Sequence, residues 1–203
     1  MSQLFSAACE RNSQPIAEQL SRLLANCSTV LEIGSGTGQH AVAFAHAMPH
    51  LHWQTSDRLE SHASIEAWRA ESGLPNIAAP LHLHIGKSAW PDARYDAAFT
   101  ANTCHIMSWQ EVGQMFAGIA DALNERGLFC IYGPFNYDRQ FTSASNQQFD
   151  ASLRAQAPHM GLRDIEDIVQ LADSVQLQLQ EDIAMPANNR LLVLMNIAQK
   201  SKA

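Results

Sequence analysis

The four cysteines, Cys9, Cys27, Cys104 and Cys130, stand far apart and form no CxxC pair. That spacing offers no disulfide scaffold and no zinc-type ligand set, and it leaves reduced, mostly buried thiols of a cytoplasmic protein as the expectation. Basic clusters are missing too: 13 Lys and Arg face 20 Asp and Glu, for a formal charge of -7. A broad electrostatic grip on nucleic acid or on an anionic membrane is therefore disfavoured. No apolar run approaches a membrane span. The opening "MSQLFSAACERNSQP" has neither the basic start nor the apolar core of a signal peptide. Without repeats, low-complexity tracts or linkers, the 203 residues read as one domain, 1–203, large enough to bury a core.

What is present is an alternation of short apolar runs with helical spacing. Ile16, Leu20, Leu23, Leu24 and Cys27 recur at helical intervals, which predicts a first helix with Pro15 in its opening turn. "STVLEI" reads as a buried strand and "GQHAVAFAHAM" as the helix after it. "LHWQTS" is a second strand ending at Asp57, followed by a helix through "SIEAWRAES" that Gly73 and Pro75 close. "PLHLHI" and "YDAAFTAN" are the third and fourth strands. "SWQEVGQMFAGIADALNE" is a helix with Ser108 as its N-cap, and "GLFCIYG" is the fifth strand. A polar-aromatic stretch, "PFNYDRQFTSASNQQFD", leads into helical "QQFDASLRAQ" and "DIEDIVQLAD". The end, "VQLQLQEDIAM" and "RLLVLMNIA" around "PANN", reads as an antiparallel hairpin. Together these predict an α/β fold with a mostly parallel sheet and helices on both faces.

The segment "VLEIGSGTGQHA" concentrates three glycines between the first strand and its helix. Glycine supplies left-handed backbone there and removes the side chain where a ligand must lie against the chain. Two ligands compete. A dinucleotide fingerprint, GxGxxG, needs glycine at position 39, where Gln39 stands; the spacing here is Gly34, Gly36, Gly38. Glu32, two residues ahead of the first glycine, suits an ammonium group and would repel a pyrophosphate. Asp57, about twenty residues on, can accept hydroxyl bonds from a ribose and serves either ligand.

These features resemble the class I S-adenosylmethionine (SAM)-dependent methyltransferases: ExGxGxG, an acid after the second strand and a seven-strand rhythm closing in a hairpin. More narrowly, "ERNSQPI", "NTCHIMSW", "GPFNYDRQFTSASNQQFD", "GLRDIE" and "MPANN" are similar to the methyltransferase-like family of unknown function that includes methyltransferase-like protein 26. The resemblance runs nearly end to end. It implies a Rossmann-like fold with a seven-stranded sheet, and SAM as cofactor with S-adenosylhomocysteine as product. It also implies cofactor contacts at Glu32, Gly34, Ser35, Gly36 and Asp57, with Ile85 beside the adenine and Asn102 near the methionine portion. The family's acid after the third strand is replaced by His84.

Other residues extend this reading. "ANTCHIM" places Asn102 and His105 at the rim where strands of an open sheet end, and ligands of such sheets bind there. Methyl transfer needs alignment, and a base only if the acceptor must lose a proton; His105 is the candidate base and Asn102 its catalytic companion. Arg11, read as lying just upstream of the first helix, is placed to fold over the cofactor and meet its carboxylate. Phe135, Asn136 and Tyr137 after the fifth strand, with Met185, Asn188 and Asn189 around "PANN", have the mixed character of a small-molecule pocket. Turn chemistry alone also explains Pro and Asn in that hairpin. His82 and His84, alternating on one strand, find no third ligand, so no metal site is expected. The DPPY/NPPY-type signature of base amino-methylation is absent, since Thr103 and Cys104 follow Asn102. The expected function is transfer of a methyl group from SAM to a small molecule. The rivals are a SAM-binding regulatory protein without turnover and an NAD-dependent oxidoreductase.

Overall fold

The computed structural model describes residues 3–198. It divides after Thr100 into two compact units. The first holds α1 (Ala7–Leu23), β1 (Thr29–Ile33), α2 (Gln39–Ala47), β2 (His52–Asp57), α3 (Leu59–Ser72), β3 (Ile77–His82) and nearly all of β4 (Tyr95–Ala101). The second holds α4 (Trp109–Ala122), β5 (Leu123–Gly133), β6 (Phe135–Asn136), α5 (Ala144–Gln156), β7 (Arg163–Asp164), α6 (Ile165–Ser174), β8 (Leu177–Met185) and β9 (Asn189–Asn196). Seven strands form one sheet in the order β3-β2-β1-β4-β5-β9-β8, and β6 and β7 form a short separate ladder. The β1–β2, β1–β4 and β2–β3 pairs are parallel, whereas β5–β9 and β8–β9 are antiparallel. The α/β class and the closing hairpin expected from the sequence are those observed.

In the first unit β1 is buried on both faces, as its apolar run requires. The register sets Glu32 opposite Phe99 and Thr55, and Val30 opposite Trp53. Phe44 of α2 packs onto this face, with its ring centroid 5.5 Å from Trp53 and 5.3 Å from Phe99. All three rings are fully buried, and each contributes about 1.5–3 kcal/mol through the apolar surface removed from water. In the second unit α4 turns Val112, Met115, Phe116 and Ile119 inward, and Phe116 meets Phe129 of β5 edge-on. Ser108 caps α4 as expected, in a reciprocal capping box with Glu111. Among the described residues no helix is long and apolar enough to cross a membrane.

Three expectations from the sequence are corrected. First, α1 begins at Ala7, capped by Ser6, whose hydroxyl accepts the Cys9 N–H, so Pro15 lies within the helix rather than in its first turn. Arg11 is accordingly an exposed residue inside α1, not part of an arm ahead of it. Ala7 and Ala8 favour helix strongly enough to extend it upstream of the proline. Second, β3 closes at His82, and His84 lies beyond it in a turn whose carbonyl accepts the Lys87 and Ser88 N–H groups. The two histidines therefore do not alternate on one strand. Third, α4 stops at Ala122 and passes directly into β5, which begins at Leu123 rather than Gly127.

That last junction is held from a distant part of the chain. Asn196, fully buried at the end of β9, directs its amide toward the carbonyls of Ala120, Leu123 and Asn124 at 3.2, 3.5 and 3.4 Å, and its own oxygen accepts the Ala198 N–H. Replacing Asn196 by Ala removes these bonds from the junction. We expect a loss of about 1–3 kcal/mol in urea unfolding, and a loss below roughly 0.5 kcal/mol would show that the junction holds itself.

Candidate functional site

The glycine segment after β1 is a left-handed turn in which Gly36 and Gly38 have separate tasks. Gly36 has φ +56, and a Cβ built there would meet nothing within 4 Å. It faces open space at the end of β1. Gly38 has φ +95 and its Cβ would stand 2.9 Å from the Ile65 Cα and 3.3 Å from the Trp68 Cβ. Its missing side chain admits α3, not a ligand.

The backbone amides of this turn are taken up within the unit. Ser56 O accepts both Gly34 N–H and Ser35 N–H at 3.0 Å, and Ser35 O accepts Gly38 N–H at 2.9 Å. The Asp57 carboxylate accepts Gly36 N–H at 2.7 Å with one oxygen and Arg58 N–H at 2.7 Å with the other. Ser56 N–H donates to Ser35 Oγ at 3.1 Å, and Ser56 Oγ donates to Glu32 O at 2.6 Å. A turn arranged in this way is a poor cradle for phosphate, which needs amides pointing at it. Asp57 still offers lone pairs, since a carboxylate accepts about four bonds. Its main-chain carbonyl also accepts the Leu83 N–H at 2.9 Å. This bond ties the segment carrying His84 and buried Ile85 to the end of β2.

Glu32 is 2% exposed, and its carboxylate accepts the Trp53 indole N–H at 3.0 Å. Burial among apolar rings raises its pKa to about 7, against the lowering effect of the Trp53 and Ser35 bonds. It therefore stands near its midpoint at neutral pH, where a nearby cation would favour the charged form. His40, one residue into α2, stacks on Phe44 at 5.1 Å, and burial lowers its pKa to about 4. Gln39, where a dinucleotide motif would have glycine, is buried and accepts the Ser6 N–H, fastening the start of α1.

In the second unit Asn102 sits at φ +60, a left-handed turn that Asn tolerates, and its N–H donates to Tyr132 O at 2.8 Å. A Cβ at Gly133 would stand 3.7 Å from Asn102 Oδ1 and 3.9 Å from His105 Nδ1. The two side chains expected to be catalytic are thus neighbours across a bare glycine. His105 is 5% exposed, and its ring meets the half-exposed Phe149 edge-on at 5.2 Å. Burial, and then the positive charge of Arg163, lower its pKa to about 4, so the imidazole is neutral at pH 7.

The segments after β5 and around the last hairpin also converge. Tyr137, Thr142, Met185, Asn188, Asn189 and Arg190 line a cavity of about 340 Å³. The Tyr137 hydroxyl donates to Asp182 Oδ2 at 2.7 Å, and Arg190 Nε donates to Asp182 Oδ1 at 2.7 Å. Burial and that bond push the Tyr137 phenol well above its ordinary range. Phe135 and Asn136 are not in the cavity lining; both are buried in the β6–β7 ladder, where Asn136 Oδ1 has no partner. Asn188 is exposed and left-handed, as is Ala187 beside it, so the turn chemistry is real. Even so, Asn188 O accepts from Asn146 of α5 at 3.3 Å. Sequence reasoning missed Trp53, Asp182, Arg190 and Arg163. "GLR" was the visible trace of the last, but nothing local told what it touched.

The model of a family described as "Protein of unknown function (DUF938)" matches residues 3–196. Among solved structures, an O-methyltransferase family protein from Burkholderia thailandensis is 16% identical with a TM-score of 0.83, over 95% of this chain and 58% of that one. The S-adenosylmethionine-dependent methyltransferase SibL is 19% identical with a TM-score of 0.80, over 94% and 56%. An O-methyltransferase family 2 protein from Planctomyces limnophilus, in complex with apigenin, is 14% identical with a TM-score of 0.80, over 93% and 57%. The chain spans just over half the length of each of these. At such identities the likeness shows the fold, which is the Rossmann-like fold of the class I methyltransferases.

The separate tasks of the two glycines give different expectations for the same substitution. Gly36→Ala meets no atom and should cost only the left-handed backbone, about 1 kcal/mol. Gly38→Ala adds a clash with the α3 backbone and should cost roughly 2–4 kcal/mol. Equal losses in chemical denaturation would contradict this division.

Proposed function

The chain belongs to the DUF938 family, and within it we propose a SAM-dependent methyltransferase that acts on a small-molecule acceptor. The observation that carries this reading is the turn after β1. Its amides at Gly34, Ser35, Gly36 and Gly38 are engaged by Ser56, Asp57 and Ser35, while Gly36 keeps one side of the turn bare. Such a site lets a ligand approach the backbone at Gly36 but holds no free row of amides for a pyrophosphate, which disfavours NAD.

The residues fit SAM. Glu32, Gly34, Ser35, Gly36, Asp57 and Ile85, all in the first unit, would hold it. When bound, SAM supplies an activated methyl group on a sulfonium. Asp57 retains lone pairs for ribose hydroxyls. Glu32, poised between its two protonation states, would bind the amino group as a carboxylate. His105 is neutral at pH 7 and would accept the proton of a hydroxyl or amine acceptor, with Asn102 orienting that group. Tyr137, Met185, Asn188 and Asn189 would take the acceptor in their cavity, and Phe135 and Asn136 lie buried outside its lining. Arg11 keeps its proposed role of meeting the cofactor carboxylate, now from an exposed position on α1. Apigenin in the Planctomyces limnophilus structure lends support to an acceptor of this size. We also propose the narrower kinship with the family that includes methyltransferase-like protein 26, on the segments quoted above.

The test is Asp57→Ala. Loss of charge-assisted bonds to two hydroxyls should weaken S-adenosylhomocysteine binding about ten- to a hundred-fold in calorimetry, with the protein still folded. An unchanged affinity would reduce Asp57 to a clasp for Gly36 and Arg58. A screen of small-molecule extracts with methyl-labelled SAM then tests turnover: no labelled product from a protein that binds the cofactor would favour a regulatory SAM-binding role.

A further inference from the structure

The turn that carries His105, residues 103–107, is fastened by a side chain sixty positions away. Arg163 Nε donates to Cys104 O at 3.0 Å, and its Nη2 donates to Met107 O and, at 3.1 Å, to His159 O. One planar guanidinium thus brackets His105 on both sides and ties the turn to the loop before β7. Trp109, at the start of α4, lies under the guanidinium at 5.8 Å, so the cation is held from a third direction. A second bond runs parallel to this clamp: Gly161 N–H donates to His105 O at 2.9 Å.

The loop bearing Gly161 and Arg163 is itself fixed from α5. Asp150, buried, accepts Leu162 N–H at 2.8 Å and pairs with Arg154 at 2.7 Å. A Cβ at Gly161 would strike that pair, at 2.6 Å from Arg154 and 2.9 Å from Asp150. The chain is therefore packed tightly from α5 through Gly161 to the main chain of His105. Main-chain bonds hold His105 in place, and its ring packs against Phe149 beside Gly133.

We propose that Arg163 is the positioning residue for His105: its bridge between Cys104 O, Met107 O and His159 O sets where the imidazole lies. The proposal rests on the reading of His105 as the base of a methyl transfer, but its test needs neither cofactor nor acceptor. A lysine in the same place keeps the charge yet cannot span three carbonyls, so it separates position from charge. The charged group that acts on the ring is Arg163 from β7; the Asp150–Arg154 pair of α5 acts on Arg163 itself.

The experiment is a pH titration of the histidine ring Cε1–H signals by NMR in the wild-type protein, Arg163→Gln and Arg163→Lys. His105→Gln identifies the His105 signal among the nine histidines. In the wild-type protein His105 should titrate well below the ordinary histidine range. If Arg163 positions the turn, both variants release it toward solvent, and the His105 midpoint rises by about one pH unit or more, toward the ordinary 6.5. No rise in Arg163→Lys overturns the proposal, since burial or charge alone then accounts for the ring's state. Arg163→Lys retains the charge and the apolar stem, and it keeps the test decisive if Arg163→Gln fails to fold. Absence of S-adenosylhomocysteine binding by the wild-type protein would instead count against the cofactor reading, and would leave this titration's outcome untouched.

Discussion

The clasp between the ends of β1 and β2 is the constraint from which the site in the first unit follows. Ser56 accepts two amides of the glycine turn, gives its own N–H to Ser35 and its hydroxyl to Glu32 O. Asp57 then takes the amide of Gly36. Parallel strands pair by evenly spaced, slanted bonds that end where the strands end. Here the pattern is carried past the last strand residue by side chains. The turn is thus rigid before any ligand arrives, which reduces the ordering cost of binding.

Two electrostatic consequences follow. A turn whose amides are engaged presents little positive potential, so it does not attract phosphate. The nearest acids are then free to set the preference. Glu32 lies on the face that Phe44, Trp53 and Phe99 cover, and Asp57 lies at the strand's end. The first is held near neutrality by burial, and the second keeps acceptor capacity for hydroxyls. The pair suits a ligand with a cationic end and a ribose. In the second unit the same economy recurs. His105 is fixed through its main chain by the Gly161 N–H, and burial keeps its ring neutral at pH 7.

How much of this was legible in the sequence depended on range. The alternation of strands and helices, the Ser108 cap, the hairpin around "PANN" and the glycine turn are local, and all were visible. Gln39 in place of glycine was enough to count against a dinucleotide, and the structure adds what Gln39 does instead, which is to hold Ser6. The start of α1 was misplaced because Pro15 was read as a first-turn signal, although Ser6, Ala7 and Ala8 supply a better start. The α4–β5 junction escaped because its stop comes from Asn196, more than seventy residues on. Arg163 and Asp182 escaped for the same reason: side chains that bind distant carbonyls or phenols leave no period or spacing behind.

The most direct test of the account is calorimetric titration of the wild-type protein with S-adenosylhomocysteine and with NAD under identical conditions. A turn with engaged amides and two acids beside it should bind S-adenosylhomocysteine at one site per chain and give no saturable heat with NAD. Saturable binding of NAD, with none of S-adenosylhomocysteine, would contradict it.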